Sequence, residues 1–246
     1  MLASNNLRRF LARLLGWTNE RAVDHALHSI DLAVAHRAQL VISGAGDLVP
    51  IAYALHRRML GPESPFIVCD PRRGNTPASV RAPANRESGV AALSAAAGGS
   101  LCVRRSRLPG DFSSVVPRLR SSDDVQYIVC WRGNDDAHPL LVAPAPIHVP
   151  STKDRASELP RVVDEYAHEA IATLWARDTC FTDHDRAWVL EHAASSLSEI
   201  EKATLRLVAL RTCANMSTAA ARLGMAPVSL SRWIGRRQLP SKISTT

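Results

Sequence analysis

Residues 41–58 read VISGAGDLVPIAYALHRR. Val41 and Ile42 lie in a short apolar run over residues 40–43, a turn carrying Gly44 and Gly46 follows, and residues 51–60 bring apolar side chains back at helical spacing. Strand, glycine turn and helix in that order open a βαβ unit. Four more β-rich runs come at residues 66–70, 100–103, 127–131 and 147–149. The first four of the five runs are nearly continuous in apolar residues, the pattern of strands buried on both faces. Helical patterns accompany them, clearest over residues 22–36 and 51–60. The expected body is therefore α/β, with a parallel five-stranded sheet and helices on both faces. Cys69, Cys102 and Cys130 each fall within an expected strand and read as small core residues.

Beyond Pro150 the character changes to nearly all helix. Residues 159–177 form one helical pattern with Val162, Val163, Tyr166, Ile171 and Leu174 on its apolar side. Thr182 reads as the N-cap of a helix through His192, with Asp183 and Asp185 in its first turn. Capping and helix-dipole chemistry account for the Asp183-His184-Asp185 cluster, and no metal is assigned to it. A further helix is expected over residues 197–212. Residues 70–84 and 133–146, rich in Pro and Gly, read as irregular loops. The chain thus divides into residues 1–150, an α/β domain; 151–196, a helical subdomain; and 197–246, a small carboxy-terminal module.

The 246 residues are 46% hydrophobic and 22% charged, which excludes a fibrous or wholly disordered chain. The net charge of +7 is unevenly placed: residues 202–246 hold eight basic residues and no acidic one. A compact basic segment on a neutral body is the electrostatic footprint of nucleic-acid binding. The five cysteines include no C-x-x-C pair, so neither a disulfide framework nor a zinc site is expected, and no cofactor is assigned. No apolar run reaches the roughly 18 residues of a membrane span. Leu7, Phe10, Leu11, Leu14 and Leu15 recur at helical spacing among arginines, which reads as a helix packed on the body, not a secretory signal or a membrane anchor. The expected location is the cytoplasm.

Within residues 215–237 the pattern is helix, tight turn, helix. Ser217 reads as the cap of the first helix, with Ala220 and Leu223 inward. Gly224 supplies the left-handed turn residue, and Pro227 suits the first turn of the second helix. Leu230, Trp233 and Ile234 form one apolar face, leaving Ser229, Ser231, Arg232, Arg236 and Arg237 for the outer side. A helix so equipped fits a major groove. Asn215, Ser217, Ala219, Ala220, Leu223, Gly224 and Leu230 follow the order N-x-S-x-A-A-x-x-L-G-I-s-x-x-T-L, with Met225 at its Ile, so this segment resembles the Fis-type helix-turn-helix. The resemblance implies binding to double-stranded DNA as a homodimer on a two-fold operator. The residues it points to are Asn215, Ser217, Thr218, Pro227, Ser229, Ser231, Arg232, Arg236 and Arg237.

The body resembles the AAA+ domain of bacterial enhancer-binding activators of the nitrogen-type sigma factor. Residues 41–58 are similar to that family's V-L-I-x-G-E-S-G-T-G-K-E strand, loop and helix with two loop residues missing. Pro65-Phe66-Ile67-Val68-Cys69 resembles its P-F-v-x-x-N-C strand. Ala97-Gly98-Gly99-Ser100-Leu101-Cys102-Val103 resembles A-x-G-G-T-L-F-L, and residues 147–160 resemble I-x-L-P-P-L-R-E-R-x-x-D-I-P. Residues 196–210 align with the segment opening the last lid helix. The implied fold is an AAA+-like sheet, a helical lid over residues 151–196 and a helix-turn-helix.

The chemistry of that family is missing. A P-loop needs a Lys and a hydroxyl for the phosphates and Mg²⁺, whereas Asp47, Leu48 and Val49 follow Gly46. Arg104 and Arg105 stand where the family has its Asp-Glu pair, and an arginine neither holds a cation nor acts as general base. Ser198 replaces the lid arginine, and the G-A-F-T-G-A loop has no counterpart between Cys69 and Gly98. The expectation is a regulator whose AAA+-like body does not hydrolyse ATP. Gly44, Gly46, Arg104 and Arg105 remain candidates for an anion, since open α/β sheets bind ligands at the carboxyl ends of their strands; pairing of the arginines with Asp70 and Asp111 is the other reading. Two rivals stand beside the regulator: a surviving ATP-dependent activator, and a modulator that co-assembles with an intact AAA+ activator.

Overall fold

The computed structural model describes residues 2–36, 38–78, 82–121, 124–132, 145–237 and 239. They fall into two units, residues 1–150 and 151–246. The first runs α1 (Leu2–Leu15), α2 (Glu20–His36), β1 (Leu40–Gly44), α3 (Val49–Met59), β2 (Phe66–Cys69), β3 (Ala84–Arg86), α4 (Gly89–Ala95), β4 (Ser100–Arg104), α5 (Phe112–Ser121), β5 (Gln126–Trp131) and β6 (Ile147–Val149). The sheet order is β3-β2-β4-β5-β1-β6, and every neighbouring pair is parallel. Each of the five apolar runs forms a strand, but the sheet has six strands and not five. The sixth, β3, reads Ala-Asn-Arg and carries no apolar run. A polar side chain fixes it: Asn85 Nδ2 donates to the carbonyls of Asp70, Arg73 and Gly74, and the Asp70 N–H donates to Asn85 Oδ1. That network also orders the loop after β2. The expected loop 133–146 lies, through residue 144, outside the described residues.

Alternation along the strands divides the core. Val41, Ile67, Leu101, Val103, Tyr127 and Val129 pack with Ala92 of α4, with Ala96 just after it and with Phe112, Val115 and Val116 of α5. The residues between them face the other way. There α3 lays the buried His56 against Phe66, with ring centroids 5.1 Å apart. His56 Nε2 donates to the Ser64 carbonyl at 3.0 Å, so Nδ1 accepts from the Ser100 hydroxyl at 2.8 Å. Burial lowers its pKa; the Ser64 bond opposes this and Arg57 adds to it. The apolar face of α1, with Phe10, Leu11, Leu14 and Leu15, is buried, and the Arg58 guanidinium lies 4.0 Å over the Phe10 ring. Among the described residues, no helix is long and apolar enough to cross a membrane.

The second unit contains α6 (Leu159–Thr173), α7 (Asp183–His192), α8 (Leu197–Thr212), α9 (Met216–Arg222) and α10 (Pro227–Gly235). The helix expected over 159–177 ends at Thr173. Trp175 takes φ of 48° and the Ala176 N–H turns back to the Ile171 carbonyl, a left-handed helix ending built without glycine. The capping box at Thr182 and Asp185 forms as its residues suggest. Asp185 is fully buried and also accepts from Arg211 of α8 at 2.7 Å, while Asp183 pairs with Arg186. This cluster serves caps and helix packing, and no group of potential metal ligands occurs among the described residues. Helix α8 packs on α6 and α7 and also on α9.

Candidate nucleic-acid interface

Helices α9 and α10 are built around a short turn. Asn215, in extended backbone, caps α9: its Oδ1 accepts from the Thr218 N–H and from the Thr218 hydroxyl, both at 2.9 Å. The cap is therefore Asn215 and not Ser217, because only the Asn215 side chain stands outside the helix and reaches its third residue. Ser217 lies inside the first turn and is exposed. Ala219, Ala220 and Leu223 are buried. Gly224 takes φ of 60°, which lets the Met225 N–H reach the Ala220 carbonyl and ends α9. Pro227 occupies the start of α10, where a missing N–H removes no helical bond.

Leu230 and Trp233 bury the inner side of α10. Trp233 meets the edge of Trp188 of α7 at 5.8 Å between centroids and 70° between planes. The guanidinium groups of Arg206 and Arg237 lie 5.0 and 5.2 Å from its ring centre. Burial lowers the pKa of Arg206; Glu199 opposes the shift and Arg237 adds to it. Arg237 also reaches Glu199 at 3.7 Å. This arginine, expected on the outer side, is turned back onto the helical core.

The rest of the expected set faces solvent: Asn215, Ser217, Thr218, Pro227, Ser229, Ser231, Arg232 and Arg236 are exposed. Val228 and Arg222 are among the exposed residues of these helices that escaped the sequence reading. Val228 was legible in the helical register, since it lies two positions before the buried Leu230 and hence nearly opposite it. The segment that builds α9 and α10 carries no acidic residue, because none follows Glu201.

The second arginine cluster stands at the carboxyl ends of the strands. Gly44 takes φ of 150°, and a Cβ there would lie 2.5 Å from the Val149 carbonyl oxygen, so the close pairing of β1 with β6 requires glycine. Gly46 is also left-handed, at 82°, and its carbonyl accepts from Arg132 Nε. Arg104 bridges two carboxylates, Nη1 to Asp70 and Nη2 to Asp47, both at 2.9 Å. Arg107 adds a second arginine bond to Asp70 at 3.1 Å, and Asp70 is fully buried. Burial pulls the Arg104 pKa down, but Asp47 and Asp70 outweigh it and hold the group above its ordinary value. Arg105 lies 4.7 Å over Trp131. Asp111 caps α4, accepting from Ser88 Oγ and from the N–H groups of Gly89 and Val90. Of the four candidate anion-binding residues, Gly44 and Gly46 thus serve the β1 turn, Arg104 holds acids and Arg105 stacks.

No protein-family model matches the chain, and no curated protein matches it.

Proposed function

We propose that the chain is a sequence-specific DNA-binding transcriptional regulator, with α10 as its recognition helix. The outward face of α10 carries this reading: Ser229, Ser231, Arg232 and Arg236 stand exposed on a segment without a single acidic residue. A major groove admits one helix, whose serines and arginines contact base edges and phosphates. In this assignment Ser229, Ser231 and Arg232 face bases, while Ser217 and Arg236 face phosphates. Asn215, Thr218, Pro227 and Arg237 shape the unit. Two such units, related by a homodimer axis, read a two-fold operator.

The body is an AAA+-like scaffold without ATP chemistry, acting within the cytoplasm through dimer or partner contacts. Arg104, at the position of the family's metal-binding acid, supports this, since its guanidinium is already paired with Asp47 and Asp70. Selection of random duplexes by the full-length chain at about 150 mM salt, followed by sequencing, tests the proposal. An enriched two-fold motif is the expected result. Binding without a motif favours co-assembly with an intact AAA+ activator, and absence of binding overturns the reading.

A further inference from the structure

Along α10, Val228, Ser231, Arg232 and Gly235 stand at i, i+3, i+4 and i+7, opposite the buried Leu230 and Trp233. This is the stripe that points furthest from the helical core. Its first member is an alkyl side chain left 54% exposed, with Ser229, Ser231 and Arg232 exposed around it. Ala226 and Pro227 are exposed before it, but Ser229, Ser231 and Arg232 break up the apolar area, so a hydrophobic protein partner is a poor match. The surface instead offers one small branched alkyl group beside a guanidinium, on a segment with no acidic residue. At the other end of the stripe, a Cβ added to Gly235 would meet nothing within 4 Å, so the stripe is open along its length.

Only one group in the DNA major groove is alkyl, the 5-methyl of thymine, and the commonest partner of an arginine there is the O6/N7 edge of guanine. Arg232 lies four residues beyond Val228, or about 6 Å along the axis. That matches roughly two base steps of about 3.4 Å. We propose that Val228 is a specificity-determining residue that packs on a thymine methyl, with Arg232 on a guanine about two base pairs away. The inference rests on the DNA reading of α10.

The test exchanges methyl groups on both sides of the contact. Full-length wild type and Val228→Ala are titrated with the selected duplex, and with duplexes in which each thymine in turn is replaced by deoxyuridine. For wild type, deoxyuridine at one thymine per half-site is expected to weaken binding about fourfold, the worth of one buried methyl. Val228→Ala is expected to bind the parent duplex more weakly by a similar factor and to be indifferent to deoxyuridine at that position. Because Val228 is exposed, the melting midpoint of the variant should stay with wild type. An enriched motif combined with wild-type indifference to every deoxyuridine overturns this inference alone, as does full deoxyuridine sensitivity in Val228→Ala. Binding without any motif also overturns it, leaving no thymine to be read. Failure of wild type to bind any duplex overturns the DNA reading and this contact together.

Discussion

Two regions of the molecule gather arginines, and the chain uses them in opposite ways. At the carboxyl edge of the sheet, Arg104 and Arg107 are tied to Asp47 and Asp70, and Arg105 lies over Trp131. On α10, Arg232 and Arg236 project into solvent from a segment that contains no acid at all. The basic count of a stretch therefore says little about whether it binds an anion. What matters is which carboxylates the fold delivers to the same place. Asp70 comes from 34 residues before Arg104 and Asp47 from 57 before it. In the second unit, Asp185 captures Arg211 and Glu199 captures Arg237, whereas Arg232 and Arg236 stay exposed.

The sharpest test of this contrast is Asp70→Ala. The substitution removes a fully buried carboxylate and leaves Arg107 and one arm of Arg104 without their partner. Breaking a buried ion pair from one side costs about 3–5 kcal/mol. Arg104 and Arg107 keep 18% and 36% of their side-chain surface exposed, so the lower end, about 3 kcal/mol, is expected here. Denaturant unfolding followed by circular dichroism measures it. A loss below about 1 kcal/mol would mean a surface-like pair, and the arginine edge would then regain its claim as an anion site.

On the α10 side, Arg232→Ala should leave unfolding unchanged and weaken operator binding by about 1–3 kcal/mol, with relaxed preference at one base pair. Titrations on the selected duplex and on single-base variants read both effects. If Arg104→Ala, which touches only the sheet edge, weakened DNA binding as much, the division of labour between the two clusters would fail.

Much of this molecule was written locally in its sequence, and the rest depended on distant partners. Four of the five legible strands were read from continuous apolar runs such as residues 40–43 and 66–69, which have few other uses in a folded body. The fifth was read from the alternation of Ile147, His148 and Val149. Strand β3 was not legible, because Asn85 holds it through bonds to the carbonyls of Asp70, Arg73 and Gly74. The end of α6 was misplaced for a related reason: Trp175 adopts a backbone state normally signalled by glycine. In the second unit, the turn at Gly224, Pro227 at the helix start and the buried face of α10 all follow from local chemistry. The inward turn of Arg237 does not, since Trp233 is four residues before it but Glu199 lies on α8. Val228 was open to reading from helical register, yet polar residues drew the choice of site.

The smallest expected effect separates two neighbours of the same charge. Arg236 is exposed, whereas Arg237 lies over Trp233 and reaches Glu199. A phosphate contact releases counterions, so Arg236→Ala should reduce the slope of log affinity against log salt by about 0.9. Arg237→Ala should leave that slope unchanged. Its loss should appear in stability instead, at about 0.5–1 kcal/mol for a partly exposed cation on an aromatic face. Binding isotherms at four salt concentrations, together with melting curves, distinguish the two variants. Equal slopes for both would mean that Arg237 leaves Trp233 to meet the phosphate backbone. The contrast between captured and free arginines would then hold in the absence of DNA and dissolve within the complex.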